Sequence, residues 1–343
     1  MRKLILNLHL YGALIAGLFL IILGVTGSIL AFQPELDHLL NPGLYKVVPK
    51  GEVLPLSAIQ DALHKAYPDK KVGRIWFPQK ADMSYSAQFQ STQVFVNGYT
   101  GEIIGTRETP TVLDNIRSLH TSLWLGIMGR NIVSVATGFS VFLIITGIYL
   151  WWPVRQVGMK RGLSFYLHYA LGIYFSLLLL VLAVTGLILT FDGIIGPFSY
   201  TVTHSTPPQF QVSSTVIPGA SPITATQALG IATSRFEGAA PVVIFIPSNP
   251  KGAYTLSLKY PGYFRDCRVI LDQYSGAVLT AIDARNPPGG LAIMSANGAL
   301  HTGRIFGLPS QIVMSLASLV LAVQTITGYC LWWNKLRRKS PSS

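Results

Sequence analysis

The chain has 343 residues, of which 50% are hydrophobic and only 12% charged, with a formal net charge of +12. Soluble domains are roughly a quarter charged, and here the deficit is concentrated in long stretches, which excludes a wholly water-soluble globule. A nucleic-acid binder would carry its basic residues on a folded face; here they cluster in short segments beside the apolar stretches, which excludes that class too.

Arg2 and Lys3 precede the first stretch without Asp, Glu, Lys or Arg, Leu4 to Phe32, 29 residues long. It is too long for a typical signal peptide and lacks an Ala-x-Ala site near its end, so it is expected to stay as a helix. Three more such stretches follow: Asn131 to Trp152, Leu163 to Phe191 and Ile305 to Trp333, of 22, 29 and 29 residues. About 20 apolar residues make a helix long enough to cross the hydrocarbon, and none of the four alternates as a barrel strand would. Four crossings are therefore expected: 4–32, the helix within 120–152, 163–191, and the helix within 301–333.

Charge orients them. Arg2 and Lys3, then Arg155, Lys160 and Arg161, then Lys335, Arg337, Arg338 and Lys339 make nine basic residues in segments without an acid. Glu35 to Arg117 holds nine basic and nine acidic residues, and Asp192 to Arg285 six and five. The positive-inside asymmetry places both termini, the loop 153–162 and the tail 334–343 in the cytoplasm. Segments 33–119 and 192–300 then lie outside.

Each outer segment reads as a helix laid on its own small antiparallel sheet. In the first, an apolar-periodic stretch from Pro55 to Tyr67 precedes strand-like Val72 to Phe77 and Tyr85 to Val96. In the second, a stretch from Ile223 precedes Val242 to Ile246 and Ala253 to Leu258. Each closes on a hairpin phrase, VFVNGYTGEIIGT or RVILDQYSGAVLTA. Asn97-Gly98 and Ser275-Gly276 are expected to supply the positive-φ turn positions. Gln209 to Pro218 and Ala284 to Gly290 are expected loops.

The chain is duplicated. His9 precedes Thr26-Gly27 by 17 positions and His168 precedes Thr185-Gly186 by 17, with flanks VTGSILAF and VTGLILTF. His120 precedes Thr146-Gly147 by 26 and His301 precedes Thr327-Gly328 by 26; Trp151-Trp152 and Trp332-Trp333 follow. Equivalent helices run the same way, so the pseudo-two-fold axis lies along the membrane normal, and the tryptophans mark the cytoplasmic interface. The Thr-Gly pairs read as packing positions, with the hydroxyls bonded to helix carbonyls.

Histidine is costly inside a membrane and usually has a partner or task there. His9 and His168 fall near the inner face and His120 and His301 near the outer, one symmetry-related pair at each depth. Two neutral imidazoles suit six-coordinate haem iron, filling both axial positions. Gly12, Ala13, Ala16, Gly17, Ala170 and Gly172 near the inner pair, and Gly126, Gly129, Gly303 and Gly307 near the outer, are expected to leave room for a macrocycle. Zinc fits less well, because it asks for three or four ligands. With no Cys-x-x-Cys-His, a haem would be bound non-covalently. His38, His64 and His204 have no repeat mates and read as surface residues; Cys267 and Cys330 are expected on different sides of the membrane boundary.

These features resemble the PepSY-associated transmembrane family, also described as iron-regulated membrane proteins: the His9 helix with its VTG phrase, the outer modules, Arg117-Ser118-Leu119-His120-Thr121, the Thr146-Gly147 helix ending at Trp151-Trp152, and their second-half partners. The resemblance covers essentially the whole chain. It implies an all-α four-helix transmembrane core with duplicated α+β PepSY-like periplasmic modules, in the bacterial inner membrane. Some members reduce ferric siderophores, so it also implies a b-haem-dependent reductase with about two haems b per chain, held by His9 with His168 and by His120 with His301. A cytoplasmic reductase or a membrane quinol would donate the electron, and a ferric siderophore or similar ferric chelate would accept it. Arg117 and Arg304 are candidates for a propionate or substrate contact, though Asn297-Gly298-Ala299-Leu300-His301 lacks an arginine equivalent to Arg117. Arg74, Trp76, Tyr85, Tyr263 and Arg265 are candidates for contact with the chelate. The competing class is a membrane-anchored PepSY binding or regulatory protein without redox activity. Transport is disfavoured by the small helix count and by the lack of charge within the helices.

Overall fold

The computed structural model describes residues 1–152 and 162–337. Arg155, Lys160, Arg161, Arg338 and Lys339, on which part of the expected loop 153–162 and tail 334–343 rest, lie outside the described residues. The chain divides into two compact units. One, chiefly helical, takes Met1–Gln33, Val112–Phe198 and Ile293–Ser343; the other takes Pro34–Thr111 and Ser199–Ala292.

In the helical unit, α1 covers Arg2–Ala31. Helices α2 (Gln33–Leu40), α3 (Pro42–Tyr45) and α4 (Leu56–Ala66) lead into the other unit. The chain returns with α5 (Val112–Ser122), α6 (Gly126–Trp151), α7 (Leu163–Tyr174), α8 (Ser176–Thr190) and α9 (Asp192–Val202). After α10 (Ala225–Arg235) come α11 (Gly289–His301) and α12 (Leu308–Arg337).

Among the described residues three helices, α1, α6 and α12, are each long and apolar enough to cross a membrane. At about 1.5 Å per residue they run roughly 40–45 Å, more than the ~30 Å hydrocarbon requires. The expectation of four unbroken crossings is therefore corrected. The stretch 163–191 is broken at Phe175 into α7 and α8, which bend by 66°. Beside the break the Ser176 hydroxyl donates to the Ile173 carbonyl at 2.8 Å, the kind of side-chain competition that bends helices. Uncharged length fixes how far a chain can reach, not whether it stays straight.

The spans pack through small residues and polar contacts, as membrane helices do. Helix α1 packs on α6 and α12, while α8 packs on the same two. Where α1 meets α12, a Cβ on Gly24 would lie 2.8 Å from the Ala322 backbone nitrogen and the Ser318 carbonyl. The Ser318 hydroxyl donates to the Gly24 carbonyl at 3.0 Å, and the buried Gln311 amide donates to the Ala31 carbonyl at 2.6 Å.

The second unit overturns the all-α description and the expectation of two separate sheets. Strands β1 (Arg74–Trp76), β2 (Tyr85–Phe89), β3 (Thr92–Val96), β4 (Ile103–Glu108), β5 (Ala240–Phe245), β6 (Ala253–Lys259), β7 (Cys267–Asp272) and β8 (Val278–Ile282) form one antiparallel sheet. Its order is β4-β3-β2-β1-β5-β6-β7-β8. Two four-stranded meanders thus share an edge: β1 pairs with β5, with Ile75 opposite Ile244 at the centre. A three-residue edge strand left open would invite foreign pairing, and the second half of the chain closes it. One core serves both halves, with Ile59 and Leu63 of α4 and Ala228 and Ala232 of α10 buried with Ile75, Ile244, Leu256 and Leu271.

The strand-like run Tyr85 to Val96 is two strands, turning at Gln90 with φ 41°. In the first hairpin phrase the positive-φ residue is Gly101, at 75°, not Gly98; in the second it is Gly276, at 70°. Asn97 instead accepts the Tyr99 backbone N–H on its side chain, at 2.9 Å, an Asx turn that needs no left-handed residue. Helix α10 begins on a capping box between Thr224 and Gln227.

Candidate functional site

The four repeat-matched histidines meet as two pairs within the helical unit. His9 of α1 and His168 of α7 have ring centroids 6.4 Å apart with their planes at 87°. His120 of α5 and His301 of α11 are also 6.4 Å apart, with their planes at 50°. Each pair joins one residue from either half of the duplication.

The residues that hold the rings are those of the Thr-Gly phrases. His9 Nδ1 lies 2.8 Å from Thr146 Oγ1, and His168 Nδ1 lies 3.1 Å from Thr327 Oγ1. His120 Nδ1 lies 2.8 Å from Thr26 Oγ1, and His301 Nδ1 lies 3.0 Å from Thr185 Oγ1. The following glycine leaves space for the ring. A Cβ there would lie from His Cε1 at 3.5 Å for Gly147, 3.4 Å for Gly328, 3.1 Å for Gly27 and 3.0 Å for Gly186. The threonine hydroxyls do bond helix carbonyls, as the packing reading expects, but they bond the histidines as well. The 17- and 26-residue intervals, which put the same dipeptide at a fixed distance from each histidine, are the sequence signal for this role.

Next to the inner pair is a largely apolar cavity of about 860 Å³, with His9 and His168 in its wall. Gly147, Gly172 and Gly328 widen it, Trp151, Tyr169 and Trp332 line it, and Arg2, Lys3 and Lys335 also contribute to its lining. An apolar slot with a few placed polar groups is the usual form of a cofactor site. The inner small residues divide: Ala13 and Gly172 line the cavity, whereas Gly17 admits the Tyr329 ring and Gly12 faces Phe139. The outer glycines serve the turns and the packing between helices. Gly126, Gly303 and Gly307 take φ of 57°, 74° and 69° at the turns from α5 into α6 and from α11 into α12. Gly129 lies against the Ser122 carbonyl, where no Cβ would fit.

The donor set can be tested against haem iron. An imidazole nitrogen sits about 2.0 Å from a first-row metal and its centroid roughly 1.1 Å beyond, so two rings facing across one metal have centroids about 6.3 Å apart. Both pairs are at that separation. Among the described residues no group of three or more His, Cys, Asp or Glu comes together, which leaves a three- or four-ligand metal without its set. A macrocycle-held iron needs only two axial ligands. Both pairs have the separation that two imidazoles on one iron would need, and the cavity offers room beside the inner pair.

The remaining candidates are scattered. Arg117, one turn before His120, donates to the Gln33 side-chain oxygen, and Arg304 is exposed beyond His301. In the sheet unit Arg74 lies over the Trp76 ring at 4.4 Å. Tyr85 is buried and lines a cleft of about 330 Å³ with Phe77, Lys80 and Tyr99. Tyr263 packs beside Tyr260, while Arg265 donates to the carbonyls of Ala284 and Ala292 at 3.3 and 3.2 Å. These five do not make one cluster in the contacts of the described residues.

Compared with known protein families, residues 6–335 match the PepSY-associated TM region. No curated protein matches the chain.

Proposed function

Because the chain belongs to the family of the PepSY-associated TM region, a group of multi-pass membrane proteins, we propose that it is a di-haem protein passing electrons across the bacterial inner membrane to ferric chelates outside. The observation that carries this reading is the recurrence of one arrangement: two imidazoles at 6.4 Å, each tied at Nδ1 to a threonine, in two places. His9 and His168 would hold one b-type haem, and His120 and His301 the other. A non-covalent haem held by such a pair would supply one-electron transfer.

The chain's own residues bind, orient and shield. Threonine contacts fix each ring, glycines let it lie flush against the helix, and the apolar cavity wall keeps water from the inner pair. Arg2, Lys3 and Lys335 share the lining with His9; they offer positive charge for the carboxylates of a macrocycle, and on the positive-inside rule they mark the cytoplasmic side. In the overall reaction one electron from a cytoplasmic reductase or membrane quinol converts an Fe(III) chelate to its Fe(II) form. Hard oxygen ligands hold the lower charge less tightly, so iron is released without breaking the chelator.

Protein purified in mild detergent from haem-replete cells should be red, with the spectrum of low-spin bis-histidine b haem and about two haems per chain by pyridine haemochrome. His9→Ala or His168→Ala should remove one component, and His120→Ala or His301→Ala the other. A colourless wild-type preparation would overturn the reading in favour of an anchored binding module.

A further inference from the structure

Each threonine hydroxyl has one hydrogen, and the structure gives that hydrogen another acceptor. Thr26 donates to the Ile22 carbonyl at 2.6 Å and Thr146 to Phe142 at 2.8 Å. Thr185 donates to Val181 at 2.5 Å and Thr327 to Val323 at 2.8 Å. The oxygen is then an acceptor toward the histidine, so Nδ1 must carry the ring proton. A second observation points the same way at His168, whose Nδ1 lies 3.0 Å from the Gln324 carbonyl, a group that can only accept. At His168 a bare Nδ1 would turn its lone pair against those of two oxygens, whereas an Nδ1–H satisfies both.

We infer that Thr26, Thr146, Thr185 and Thr327 are positioning residues that hold His120, His9, His301 and His168 as Nδ1–H tautomers in fixed planes, leaving every Nε2 as the metal-binding lone pair. The hydrogen bond at one ring nitrogen decides which nitrogen binds metal and raises its basicity. The planes are held differently in the two places, at 87° and 50°. Imidazole planes crossed near a right angle leave the two π-bonding d orbitals of a low-spin iron nearly degenerate, and a smaller angle separates them. The consequence for iron rests on the haem reading; the tautomer does not. The inner site then carries the more anisotropic ferric signal, and the two sites differ in potential although their ligands are the same.

The test uses the full chain in two preparations. In protein from haem-deficient cells, ¹⁵N-labelled at histidine, the four imidazoles should show protonated Nδ1 and bare Nε2; single His→Ala variants assign them. In haem-loaded protein, electron paramagnetic resonance should show two low-spin signals, with the one lost in His9→Ala having the larger maximum g. Thr146→Val keeps the side-chain shape and removes the acceptor. It should raise the inner midpoint potential, move the inner signal alone and scramble the His9 tautomer, and Thr146→Ser should restore all three. Bare Nδ1 in the haem-free wild type overturns the inference, as does a Thr146→Val protein with unmoved nitrogen shifts and potential. A wild type that binds no haem but shows Nδ1–H at all four histidines overturns the electron-transfer proposal and upholds the positioning role.

Discussion

Gly186→Ala and Gly328→Ala change the glycines of the two Thr-Gly phrases in the second half of the chain, one against the outer histidine pair and one against the inner, and the structure predicts different outcomes. A Cβ at Gly186 would lie 3.0 Å from His301 Cε1, and one at Gly328 would lie 3.4 Å from His168 Cε1. Carbon atoms settle at about 3.5–4.0 Å, so the first methyl must push the ring or α8 by at least about 0.5 Å, while the second meets nearly ordinary contact. Both substitutions gain the same helix preference of alanine over glycine, about 1 kcal/mol. That gain cancels in the comparison, leaving the overpacking cost at Gly186, about 1–3 kcal/mol. Gly328→Ala should therefore be neutral or slightly more stable than wild type. Gly186→Ala should melt several degrees below Gly328→Ala in mild detergent and lose the component assigned to His120 and His301. Equal melting temperatures, or a weaker Gly328→Ala, would refute the reasoning.

In the sheet unit Asp37 forms a 2.5 Å ion pair with Arg107 and accepts from the Tyr45 hydroxyl. Burial pushes the Asp37 carboxyl up, but the hydrogen bonds from Arg107 and Tyr45 and the guanidinium charge outweigh it and hold the carboxyl below its usual value. The stabilisation is thus complete above the unfolded value of about 3.9 and is lost as pH falls through the lower folded one. Hydrogen exchange of residues 92–108 should accelerate, after correction for intrinsic rate, as pH drops below about 4, and Asp37→Asn should abolish that dependence while costing about 1–3 kcal/mol. Gln311→Leu should cost about 1 kcal/mol by removing the hydrogen bond from α12 to the Ala31 carbonyl, read as a lower melting temperature with the haem spectrum unchanged. Reporters joined within residues 60–110 or 225–280 should register outside the cytoplasm, and one joined after Lys335 inside; an outside signal at Lys335 would reverse the orientation.

What could be recognised without coordinates is what depends on order along the chain. The intervals of 17 and 26 residues from each histidine to its Thr-Gly pair expose the duplication, and the duplication matches His9 with His168 and His120 with His301. Uncharged length shows that the chain enters a membrane, and the alternating apolar runs mark the strands. The rest depends on which surfaces meet. Serine at 176 is unremarkable in an apolar run, and nothing in the run marks the 66° break beside it. Nothing local to Arg74–Trp76 or Ala240–Phe245 names the other as its neighbour; they pair because each is the open edge of a meander and the shared core closes there. Thr146 and His9 are 137 positions apart, and only the crossing of α1 with α6 brings the hydroxyl to 2.8 Å from the ring. Spacing along the chain records the repeat of such a contact, but the contact itself, and the angle at which two rings face each other, is set by the packing of one helix against another.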